Sequence, residues 1–162
     1  MKKTSKTLLL AMGILTLLAI ATSAHYQGYS AVDDMEIRYD GSTVYTTAQS
    51  HSINTWNGLG KVNIAPDTIW TYEDLTYSDY YNPNSGVDGR YTPNSYGSDD
   101  LEFNQYNMNQ HTADEKKKTA LHELGHALGF AHSYKPNVMY EFVESYTQLG
   151  QHDIDDYNYL YP

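Results

Sequence analysis

The sequence predicts a single α+β domain, in which a twisted mixed sheet of about four or five strands packs against two helices and is followed by a small C-terminal part ending in a further helix. Three observations carry this. Residues 46–59 and 113–128 repeat their apolar positions at the helical period. The segments 35–39, 61–65, 74–81 and 101–107 alternate branched or aromatic residues with polar ones between Pro, Gly and Asn breaks, as strands do. The 162 residues suffice for one hydrophobic core, and no internal repeat divides them.

Residues 1–24 stand apart from that domain. Lys2, Lys3 and Lys6 make a positive start, Leu8 to Ile20 is almost wholly apolar, and Thr22-Ser23-Ala24 supplies small residues for cleavage. This is the pattern of a secretory leader removed after Ala24, leaving a domain over residues 25–162 and an extracellular location. The apolar run is shorter than the ~20 residues a spanning helix needs. The whole chain carries a net charge of −10, and the leader holds three of its lysines but no acid, so the remainder is more acidic still. Such a field disfavours nucleic acid and anionic membranes as partners and tolerates cations. A chain with no cysteine has no disulfide, no thiolate nucleophile and no cysteine zinc site. It must be held by its core, and a monomer is expected.

After the tail 25–34, Met35 to Tyr39 alternates as a first strand and stops at the turn pair Asp40-Gly41. From Thr46 to Leu59, the residues Ala48, Ile53, Trp56 and Leu59 fall near one helical face, and Gly58 and Gly60 end that helix. Lys61 to Ala65 and Asp74 to Tyr81 read as strands bounded by Pro66 and Pro83. Asn82 to Asp99, rich in Asn, Pro, Ser and Gly, reads as a long loop, a length usually tied to function or to a bound ion. Leu101 to Asn107 alternates again. Thr112 then opens a helix with a capping box: its hydroxyl accepts from the backbone N–H of Glu115, whose carboxylate reaches back. That helix is expected from about Ala113 to about Leu128, with Lys116, Lys117 and Lys118 on its solvated part.

Within and just beyond it, Thr119 to Ser133 reads TALHELGHALGFAHS. At ~100° per residue, Ala120, Leu121, Leu124, Ala127 and Leu128 share one broad sector, while His122 and His126 lie opposite, ~40° apart and ~6 Å along the axis. Imidazoles so placed can converge on one ion. Glu123 projects to their flank, badly placed as a ligand beside them but well placed to reach a water molecule on that ion. Gly129 can take the left-handed conformation that ends a helix, and the bend lets His132 return as a third nitrogen donor. Three neutral imidazoles with an open fourth position form a catalytic rather than a structural arrangement, and zinc suits it best. Chance would assemble such a pattern in a chain of this size on the order of one time in ten thousand. His25, His51, His111 and His152 lack ligand spacing and are read as surface or partly buried.

The run HELGHALGFAH, His122 to His132, resembles the extended zinc-binding motif of the metzincin metalloendopeptidases. Ser133 directly after the third histidine narrows the resemblance to the matrixin-like branch, in its small secreted bacterial type. Asn137-Val138-Met139-Tyr140 resembles the family's methionine turn, in which Met139 would form a hydrophobic floor beneath the metal. Leu149 to Tyr161, including Asp153-Ile154 and Leu160-Tyr161, resembles its closing helix, and weaker similarity runs through Leu101 to Asn104 and Ala48 to Trp56. The resemblance implies a metzincin (zincin-like) catalytic domain with a long active-site helix, acting on polypeptides. It also implies His122, His126 and His132 as ligands of one catalytic Zn2+, and Glu123 as the general base.

Some positions depart from the family pattern. Glu141 stands where other metzincin branches carry a tyrosine that approaches the metal, so Tyr140 receives no ligand role. The cysteine switch of a propeptide is absent, and no propeptide is expected. The 82–99 loop has no histidine for the family's second, structural zinc site, so that site is not expected. Ca2+ bound by loop carbonyls, Asp88, Asp99 or Asp100 is conceivable. Two rival readings remain at this stage: a different zinc peptidase in which Glu144 completes the ligand set, and a secreted zinc-containing binding protein that has lost catalysis. An acidic adhesin or inhibitor would share the composition but leave the motif without a use.

Overall fold

The computed structural model describes residues 25–162; the leader expected over residues 1–24 lies outside the described residues. Strands β1 (Glu36–Gly41), β2 (Asn63–Pro66), β3 (Leu75–Tyr80), β4 (Gly89–Thr92) and β5 (Asp99–Asn104) form one sheet in the order β2-β1-β3-β5-β4. Every neighbouring pair is parallel except β4 with β5, so the sheet is mixed, with an antiparallel edge. The helices are α1 (Thr46–Asn57), the single turn α2 (Gln105–Met108), α3 (Ala113–Ala127) and α4 (Gln151–Leu160). Among the described residues no helix is long and apolar enough to cross a membrane.

The core follows from the two periodicities. Ile37, Leu75, Tyr77, Leu101 and Phe103 come from alternate strand positions and are buried, as are Leu121, Leu124 and Leu128 from the apolar sector of α3. Trp56 of α1 is the keystone between them. Its ring stacks on Phe130 at 5.3 Å and on Tyr157 of α4 at 6.1 Å, and its indole N–H donates to the carbonyl of Leu121 at 3.0 Å. The expected capping box at Thr112 and Glu115 is formed at the start of α3.

Two expectations require correction. The 82–99 stretch is not one loop: Gly89–Thr92 is a strand, registered against β5 with Gly89 opposite Phe103 and Tyr91 opposite Leu101. The strand expected over Leu101–Asn107 instead begins at Asp99 and ends at Asn104, whose side chain accepts from the Tyr106 N–H and turns the chain into α2. At Gly89–Thr92 a tertiary partner overrides local propensity, and at Asn104 a local side-chain cap ends the strand. Asp99 accepts from the Asn94 N–H at 2.7 Å and from the Tyr91 hydroxyl, tying the β4–β5 hairpin together.

Candidate metal centre and active site

Helix α3 ends where expected. Gly129 has φ +93°, and the chain reverses so that the Phe130 N–H donates back to the Gly125 carbonyl at 3.0 Å. A side chain at 129 would be strained by that φ and would meet Tyr26 at 3.0 Å, so glycine is required for the bend that returns His132 to the helix.

His122, His126 and His132 come together as one group. The Nε2 of His126 lies 3.1 Å from that of His122 and 3.2 Å from that of His132. Nitrogens bound at ~2.0–2.1 Å to a tetrahedral ion would be separated by about 3.3 Å, so the spacing fits zinc. The opposite ring nitrogens are committed: His122 Nδ1 donates to the Val138 carbonyl at 2.8 Å, and His126 Nδ1 to the Phe130 carbonyl at 2.7 Å. Those bonds fix the tautomer that leaves each Nε2 lone pair free for a metal. Burial holds His122 well below its ordinary pKa and drives His126 down to about 4, so both stay neutral, the form that ligates.

Met139 packs directly against Gly125, between the two histidines in the chain, where a Cβ on residue 125 would overlap its sulfur. Replacing Gly125 by alanine should therefore push the methionine turn away from α3 and cost about 1–3 kcal/mol, read as a lowered urea midpoint. An unchanged midpoint would mean that Met139 moves aside freely.

Glu123 is 7% exposed and lies in the wall of an open cleft of about 480 Å³ that also reaches His122, His126 and His132. It is not part of the three-histidine group. Burial pushes its carboxyl up to about 8, opposed by the positive charge of Lys118 and by the Tyr91 backbone N–H. A carboxyl poised near neutrality suits a group that takes up and returns a proton.

Lys118 departs from its solvated expectation and is only 2% exposed. It sits one turn before His122 on the same helix face, and its ammonium donates to the carbonyls of Tyr140 at 2.5 Å and Phe142 at 3.0 Å. Burial pushes its pKa down to about 8, against the opposing pull of Glu123 and other acids. It ties the cleft wall at 140–143 to α3, and the position-118 periodicity was the available signal.

Other expected residues fall elsewhere. Asp88, Asp99 and Asp100 join no metal-binding group among the described residues; Asp99 is engaged with Tyr91 and Asn94, and Asp88 faces His111 at 3.0 Å. Glu144, the ligand of the rival peptidase reading, is paired with Lys135. His51 is bonded to the Thr147 carbonyl at 2.7 Å. His152 is buried rather than superficial, because α4 turns it inward beside Asp156.

Comparison with curated proteins yields no significant match. The matrixin family model, by contrast, matches residues 21–162, a span that takes in the whole sheet, the histidine helix, the methionine turn and α4. With that coverage, the chain belongs to the matrixin family, the zinc metalloendopeptidases of the metzincin fold.

Proposed function

We propose that this protein is an exported endopeptidase in which His122, His126 and His132 hold one zinc ion and Glu123 is the general base, residues 1–24 serving as a removable leader. One observation carries the reading: three imidazole nitrogens face a common point in a cleft whose wall also carries the buried carboxyl of Glu123. Zinc bound there would supply Lewis acidity toward a scissile carbonyl and toward water. Glu123 takes the proton released in the attack and delivers it to the leaving amine, so that no covalent enzyme intermediate is needed.

Substrate enters along β4. This strand is the sheet edge on the cleft side, and Gly89, Arg90 and Tyr91 line the cleft, leaving its outer backbone groups, other than the Tyr91 N–H held by Glu123, available to an extended peptide. Glu141, Phe142 and Val143 form the facing wall, held by Lys118, and their side chains set the pocket beside the metal.

Digestion of casein or a peptide should be abolished by a zinc chelator and restored by added zinc. Hydrolysis that survives complete removal of zinc would sink the reading.

A further inference from the structure

The N-terminal segment and α4 meet at a second group of metal-ligating side chains: His25, His152 and Asp156. His152 and Asp156 are four residues apart on α4 and share a face. His25 arrives from a segment bridged through Tyr26 to Phe130, with the Gln27 N–H donating to the Gly129 carbonyl at 3.0 Å. His25 Nδ1 is 2.6 Å from His152 Nε2, and Asp156 Oδ2 is 3.5 Å and 3.4 Å from those two nitrogens. The two nitrogen–oxygen separations already fit an ion bound at about 2.0–2.1 Å, and the His25 and His152 nitrogens, which stand at hydrogen-bond distance, would part by about 0.7 Å to reach the ~3.3 Å of a tetrahedral site.

The charge balance favours such an ion. Asp156 is 4% exposed, and among the described residues its carboxylate pairs with no lysine or arginine, only with two imidazoles and the His25 backbone N–H at 3.3 Å. A buried carboxylate needs a positive partner, and a divalent ion held by the same three side chains would supply one. Two nitrogens and one carboxylate oxygen form a donor set suited to a borderline divalent metal. Removal of residues 1–24 would make the His25 nitrogen an α-amine beside the same oxygen, a fourth donor as the free base and a competing cation for Asp156 when protonated.

We propose that His25, His152 and Asp156 bind a second divalent transition-metal ion, zinc in the test below, which fastens the N-terminal segment to α4. The site shares no side chain with the His122 group and does not depend on the peptidase reading. The test is zinc content after chelator stripping, reloading with Zn2+ and gel filtration, on protein expressed from the full sequence. Wild type is expected to retain two zinc ions per chain, His25→Ala and Asp156→Asn one each, and His126→Ala one. The double variant His25→Ala/His126→Ala should retain none. Because Asp156 is buried and its variant is prone to misfold, the terminal His25→Ala variant carries the decision. Added zinc should also raise the melting temperature of His126→Ala but not that of the double variant. Unchanged zinc content in His25→Ala, with no zinc-dependent melting shift in His126→Ala, would overturn the proposal and leave a hydrogen-bonded cluster only. Failure of the peptidase reading would appear separately, as wild type that holds zinc and cuts no polypeptide.

Discussion

Glu123→Gln is expected to lower kcat/KM for peptide hydrolysis by about 10²–10⁴-fold while the zinc bound by the three histidines stays in place. The substitution keeps the size of the side chain and removes its ability to accept a proton at neutral pH. Because Glu123 lies beside the histidine group and not within it, the ligand set is untouched. His126→Ala is the contrasting case. It removes the central nitrogen, the one within 3.2 Å of both others, and should lose this zinc and the activity together. Metal analysis alongside single-turnover kinetics separates the two outcomes. Full activity in Glu123→Gln would show that another group accepts the proton.

Trp56→Ala should produce the largest loss of stability, about 3–5 kcal/mol. The indole is fully buried between Phe130 and Tyr157, so its removal opens a cavity lined by a ring from the bend after α3 and a ring from α4. The indole also donates to the Leu121 carbonyl, one residue before the first histidine of the group. Equilibrium urea unfolding measures the cost, and a zinc titration should show weaker binding in the same variant, because the helix carrying two of the imidazoles loses its backing. A loss below about 1 kcal/mol would mean that the neighbouring rings collapse into the space.

Much of this was legible in the sequence because it is periodic. The helix spacing of His122 and His126, with Gly129 ahead of His132, places the rings together before any long-range contact is considered. The strands that alternate clearly, such as Leu75–Tyr80, were legible for the same reason. Strand β4 was not. Gly-Arg-Tyr-Thr is too short to show a pattern among turn-forming neighbours, and it exists because β5 offers a ladder and Asp99 grips its far end. Three consecutive lysines resemble a surface run, which masks Lys118, although its helix position matches that of His122. The pairing of His25 with α4 joins residues more than a hundred positions apart, which no local spacing encodes.

The far end of the chain completes the centre of the molecule. The Asp153 carboxylate accepts from the backbone N–H groups of Val138, Met139 and Gly150, and the Tyr161 hydroxyl donates to the Leu128 carbonyl at 2.6 Å. Residues from position 150 onward therefore brace both the methionine turn, whose Val138 carbonyl holds His122, and the end of the helix that carries His126. Trimming the tail back past position 153 is expected to weaken zinc binding without touching a single metal-binding ring, and a zinc titration of the shortened chain checks it.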